Sequence, residues 1–187
     1  MDPLDILARF YGRSSKVFEI LVEHGREIAE KALSAASKVA HLQPDLNFIQ
    51  NSALLHDIGI LHTDSPGLGC HGKYPYICHG FLGRDMLDAI GLPDYGLVCE
   101  RHVGVGIDLK DIKGFNLPLP ERDMLPVSIE EQIICYADKF FSKNGNGRSK
   151  KGPKSIEEIL QSLEPYGQDK VERFQMWVQM FETEYRL

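Results

Sequence analysis

The chain has 187 residues, of which 43% are hydrophobic and 26% charged, and its net charge is −6. This size favours a single domain, and this balance is typical of a globular protein and excludes wholesale disorder. No window approaches the ~18 uninterrupted apolar residues of a membrane helix, and the acidic start lacks the pattern of a secretory signal. We therefore expect a cytoplasmic protein that does not bind membranes. Because its net charge is negative, we also expect no stable binding of nucleic acid.

The predicted elements are helices, because apolar residues recur with a helical period and capping residues stand at the expected ends. In chain order the predicted helices cover about residues 2–12, 15–41, 44–59, 77–90, 93–102 and 128–141, with a short one from 155 and a last one over 168–185. Residues 60–76 and 103–127 are predicted to be loops, the second one long and irregular, and no strand is predicted. The fold class expected is all-α: one compact helical bundle over 1–187, with a core at about 14–142 and C-terminal helices (155–187) packing on it.

Polar side chains interrupt three of the predicted buried helix faces. His24 lies on an apolar stripe, His56 and Asp57 end an apolar helix, and Asp138 lies among apolar residues. A buried carboxylate without a cation is costly, and Lys139 points about 100° away from Asp138 on a helix. A lone histidine in a core is usually a hydrogen-bonded structural residue, but a shared metal ion explains the whole set.

These residues carry a resemblance to a known family. The segments Val22–His24, Leu54–Gly59 and Tyr136–Lys139 resemble the HD-domain (HDIG) metal-dependent phosphohydrolases. The resemblance implies an HD-type helical bundle and a metal site made by His24, His56, Asp57 and Asp138. His79 and His102 match two further histidines of the two-metal members, which implies a second metal ion with Asp57 as the bridge. The order of the six ligands is similar to that of small stand-alone HD proteins.

The same resemblance implies a function. A metal-activated hydroxide would hydrolyse a nucleotide or another small phosphate ester or anhydride, with two divalent transition-metal cofactors per chain (Fe, Mn, Zn, Co or Ni). Asp57 and Asp138 would be catalytic as well as ligands. Many relatives carry a Lys or His where this chain has Ile60, so Lys139 and Arg101, and less so Lys73 and His62, are the candidates for a phosphate-binding charge. Two alternatives remain open: a non-heme diiron oxygenase of the HD type, and a non-catalytic HD-like regulatory module.

Overall fold

Helices account for most of the structure, a computed structural model that describes residues 2–143 and 152–182. Within these residues there are nine α-helices, and the predicted all-α class is confirmed. They are α1 (Pro3–Tyr11), α2 (Lys16–Lys38), α3 (Leu46–Leu55), α4 (His79–Asp88), α5 (Pro93–Arg101), α6 (Leu109–Gly114), α7 (Ile129–Asp138), α8 (Ile156–Leu163) and α9 (Gln168–Phe181).

Side chains cap the starts of α1, α2, α3, α7 and α8. The side chains of Asp2, Ser15 and Asp45 each accept a hydrogen bond from a backbone N–H in the first turn of α1, α2 and α3. Ser128 and Ser155 begin α7 and α8 with complete capping boxes. Each cap satisfies a backbone donor that has no partner inside the helix, which fixes where the helix begins.

Several helices end earlier than predicted. α2 stops at Lys38 and continues as a 3₁₀ turn, Ala40–Leu42, while α3 stops at Leu55 and a 3₁₀ turn, Ile58–His62, follows it. In α9, Phe181 is the last helical residue, and the predicted end at Tyr185 lies outside the described residues.

Two segments predicted to be irregular contain regular structure, so these loop predictions were wrong. Between α3 and α4, β1 (Asp64–Ser65) pairs antiparallel with β2 (Cys70–His71), in the register Asp64↔His71. Between α5 and α7, the six-residue α6 begins with a capping box made by Asp108 and Asp111. Elements this short show no detectable hydrophobic period, and backbone pairing and caps define them instead.

Two hydrophobic clusters form the core of the described chain. The larger one surrounds α7 and α9 and contains Tyr136, Phe174, Trp177 and Phe181, all almost completely buried. The smaller one joins α1 to the 3₁₀ turn after α3. Helix α2 contributes to both clusters. Nowhere in the described ranges is a helix long and apolar enough to cross a membrane.

Candidate functional site

Four histidines and two aspartates, carried by α2, α4, α7 and the C-terminal ends of α3 and α5, converge in the interior. We call them the His/Asp cluster; its members are His24, His56, Asp57, His79, His102 and Asp138. His24 Nε2 lies 3.2 Å from Asp138 Oδ1, and His56 Nε2 lies 3.0 Å from Asp57 Oδ2. On the other side of Asp57, Oδ1 lies 3.3 Å from His79 Nε2 and 3.6 Å from His102 Nε2. The structure thus brings all six predicted ligands together, with Asp57 at the centre.

Three of the histidines share one orientation. The Nδ1 atoms of His56, His79 and His102 each lie 2.7 Å from the carbonyl oxygen of the residue three positions earlier. A carbonyl only accepts, so each Nδ1 carries the hydrogen and a neutral ring leaves its Nε2 lone pair facing Asp57. The Nε2 atoms of His79 and His102 are only 3.1 Å apart, so their lone pairs repel each other unless a cation or a proton lies between them.

A lysine that the sequence analysis missed supplies a cation to the His/Asp cluster. Lys143 Nζ lies 2.6 Å from Asp57 Oδ2, and its side chain is only 9% exposed. The same ammonium lies 6.0 Å from the centre of the Tyr76 ring. Lys143 follows α7 in a polar, glycine-rich stretch without hydrophobic periodicity, and no sequence signal marks it as buried.

Burial and neighbouring charges shift the pKa values of Asp57, Asp138 and His56 in opposite directions. Burial alone would raise the pKa values of Asp57 and Asp138, but His56, Lys143 and Lys139 hold them well below the usual range. Burial disfavours protonated His56, yet the adjacent Asp57 raises its pKa to about 9. Both carboxylates are therefore ionised at neutral pH, and Asp57 favours a proton on His56 as long as no cation is bound there.

The pKa values of His79 and His102 shift in the opposite direction to that of His56. Burial lowers the pKa of His79 to about 3, and burial also lowers the pKa of His102. Both rings are neutral at neutral pH, which is the state in which an imidazole nitrogen binds a metal ion.

The His/Asp cluster fits a bound cation. Two triads, His24–His56–Asp57 and Asp57–His79–His102, each place three ligand atoms within 4.8 Å of one another. Within the described part of the chain, His56 Nε2 and Asp57 Oδ1 lack a well-aligned hydrogen-bond partner, while Asp57 Oδ2 faces the Lys143 ammonium. Buried polar atoms without partners are costly, and a metal ion would satisfy all of them with nitrogen and oxygen donors.

Close backbone packing positions the central His56-Asp57 pair. A Cβ atom on Gly59 would lie 2.0 Å from the carbonyl oxygen of His79, so only glycine lets the turn after α3 pack against the start of α4. The hydroxyl of Tyr11 donates to the Ile58 carbonyl at 2.6 Å and accepts from the Leu61 N–H at 2.8 Å. Helix α1 thereby fixes the same turn from the other side.

The other predicted site residues occupy different surroundings. Lys139 Nζ lies 3.5 Å from Asp138 Oδ2, at the edge of the His/Asp cluster. Arg101 donates from one guanidinium nitrogen to both carboxylate oxygens of Glu131, at 2.8 and 3.0 Å, and so links α5 to α7. Lys73 and His62 are exposed.

A cleft of about 830 Å³ opens beside Asp138. Its lining includes four lysines, which follow α7, precede α8 or lie in α9: Lys139, Lys143, Lys154 and Lys170. Three aromatic side chains, Tyr76, Phe115 and Tyr166, belong to the same lining. The His/Asp cluster therefore borders a space large enough for a small organic ligand.

Comparison with known proteins finds relatives but no family. An uncharacterized protein of Methanocaldococcus jannaschii is 35% identical over 125 residues, which are 65% of this chain and 66% of that protein. A tRNA (cytidine(56)-2′-O)-methyltransferase of Thermoplasma volcanium is 33% identical over 140 residues, or 74% of this chain and 35% of the relative. The enzyme of the same name from Picrophilus torridus is 29% identical over 70% of this chain and 34% of its own length. No protein family and no solved structure gave a match.

The names of these relatives correct the predicted identity and function. The two named relatives are tRNA methyltransferases, so the predicted HD-domain phosphohydrolase family and its hydrolytic reaction are wrong, as are the oxygenase and regulatory alternatives. The predicted transition-metal cofactors and the small phosphorylated substrate are wrong with them, because the name denotes methyl transfer to tRNA. The expected absence of nucleic-acid binding is wrong for the same reason. The chain spans about a third of the length of either named relative.

Proposed function

We propose that this chain acts in tRNA 2′-O-methylation, as a helical module of the kind that the named methyltransferases contain. The observation that carries the proposal is the 33% identity over 140 residues, most of this chain, to about a third of such an enzyme. The M. jannaschii relative is only about 190 residues long, judging from the share that matches. The related segment thus occurs in a protein of this size and as part of a protein about twice as long, which is typical of a separable module.

In this proposal the module contacts the tRNA and supports methyl transfer to it. Its cleft is the part that suits an RNA ligand, because lysines line it in a protein that is otherwise acidic. Lys139 lies in that lining beside Asp138. Arg101 has the role of a positioning residue, since its salt bridge to Glu131 holds the end of α5, and with it His102, against α7.

A comparison of cells tests this function. We expect tRNA from cells of the source organism that lack this chain to lose 2′-O-methylcytidine at position 56, and a wild-type copy of the gene to restore it. Mass spectrometry of tRNA fragments measures that nucleoside, and a methylated nucleoside elsewhere in the same tRNA is the control. Unchanged methylation at position 56 in the deletion strain would contradict the proposal.

We further propose that the His/Asp cluster binds a cation that stabilises the fold of this module and takes no part in methyl transfer. The support is the shared orientation of three imidazoles, the short Nε2 distance between His79 and His102, and the convergence of both triads on the Asp57 carboxylate. A bound cation would link α2, α4 and α7 to the C-terminal ends of α3 and α5, next to the cleft. The proposed ligands are His24, His56, Asp57, His79, His102 and Asp138.

Equilibrium dialysis against Mn²⁺ tests the centre. We expect the wild-type chain to retain Mn²⁺ and Asp57→Asn to lose at least ten-fold in affinity, because the central carboxylate contacts both triads. Asp123→Asn, an exposed carboxylate outside the His/Asp cluster, is the matched control and should bind like wild type. Equal retention by wild type and Asp57→Asn would show that the ion binds elsewhere.

A further inference from the structure

The cleft has an aromatic part that the His/Asp cluster does not use. Phe115, at the end of α6, and Tyr166, in the 3₁₀ turn after α8, are 52% and 59% exposed. Their ring centres are 6.2 Å apart, with a 66° angle between the rings. Both side chains line the cleft, together with Asp138 and Lys139. Two large rings left half exposed at a cleft offer apolar surface to a flat ligand.

The charge in the cleft complements an anion. Four lysines and two aspartates line it, whereas the whole chain has a net charge of −6. Asp111 is already paired with Lys170 at 2.7 Å, and Asp138 lies 3.5 Å from Lys139. Lys143 is paired with the buried Asp57 at 2.6 Å, and Lys154 adds a further positive charge to the lining. A concave, locally cationic surface attracts phosphate even when the protein as a whole is acidic.

We propose that this cleft binds one unpaired nucleotide of RNA, with its base against Phe115 and Tyr166 and its phosphate towards the lysines. Sequence-tolerant binding of single-stranded RNA combines these two features, aromatic stacking and cationic contacts to the backbone. The cleft volume, about 830 Å³, is within the usual range for small-molecule sites and accommodates a nucleotide. This inference rests on the proposed function, for which it names the part of the tRNA that the module contacts.

Fluorescence anisotropy with a labelled, unstructured cytidine-rich RNA heptamer tests the site. We expect Tyr166→Leu to weaken binding about five-fold or more, the loss typical of one stacking partner, while Tyr166→Phe keeps the ring and binds like wild type. An abasic heptamer should bind both variants equally, because it has no base to stack. Lys154→Met should weaken both oligonucleotides alike and reduce the dependence of binding on salt.

The controls distinguish loss of base stacking from misfolding of the variant. They also distinguish failure of the nucleotide site from failure of the proposed function. Val127→Ala changes an apolar side chain that is 70% exposed and absent from the cleft lining, so it should leave RNA affinity unchanged. Thermal melting should be alike for all variants, since Tyr166 is mostly exposed. Equal RNA affinity of wild type and Tyr166→Leu, or no RNA binding at all, would overturn the nucleotide site. If the variants behave as expected but methylation at position 56 does not depend on the chain, the proposed function fails and the nucleotide site stands.

Discussion

Gly59→Ala is expected to cost about 3 kcal/mol or more of the free energy of unfolding, at the upper end for overpacking a core. The new Cβ would lie 2.0 Å from the His79 carbonyl oxygen and 2.3 Å from the Gly83 nitrogen, and both are backbone atoms that cannot rotate away. Typical domains are stable by only about 5–15 kcal/mol, so the variant loses a large share of its stability. Urea denaturation followed by circular dichroism measures the loss.

A second glycine close by provides the matched control. A Cβ atom on Gly67 would have no neighbour within 4 Å, and the backbone there is not left-handed, so Gly67→Ala should change the free energy of unfolding by less than about 0.5 kcal/mol. If Gly59→Ala folds at reduced stability, it should also bind Mn²⁺ more weakly, because α4 and its His79 must shift. Equal stability of the two alanine variants would refute the close packing of the turn against α4.

The long helices could be predicted because two independent signals agree in them. A hydrophobic period predicted α2 and α7. The pair Ser14-Ser15 marked the start of α2, where Ser15 is the cap, and Ser128 marked the start of α7. The six residues of α6 are too few for a period, and their place is set by neighbours such as the bridge between Ile107 and Met124. Contacts between residues distant in sequence cannot be deduced from local pattern alone, and this is why α6 and the small sheet were missed.

Part of the candidate site could be predicted from the sequence, because some of its polar residues interrupt apolar helix faces. This contrast identified His24, His56, Asp57 and Asp138, and the structure brings them together with His79 and His102. Lys143 could not be found in this way, because its burial depends on how the chain leaves α7. The reaction could not be predicted from the spacing of the ligands, because the same set of side chains can serve different chemistries.

The Lys143 ammonium is expected to be essential to the stability of the metal-free chain. With a chelator present, Lys143→Met should lower the free energy of unfolding by about 3–5 kcal/mol, the usual cost of removing one partner from a buried ion pair. Methionine fills a similar length of the cavity but leaves the Asp57 carboxylate without the cation 2.6 Å away. The exposed Lys110→Met is the control and should stay within about 0.5 kcal/mol of wild type. Urea denaturation at neutral pH measures all three proteins.

Two further experiments show whether Lys143→Met loses stability because the Asp57 charge is left unpaired. In the double variant Lys143→Met/Asp57→Asn the charge is gone as well, so the two losses should be less than additive. Mn²⁺ should restore stability to Lys143→Met more than to wild type, because in the variant the ion no longer competes with the ammonium for Asp57. Full additivity in the double variant, with no effect of Mn²⁺ on either protein, would mean that Lys143 packs beside Asp57 without balancing its charge.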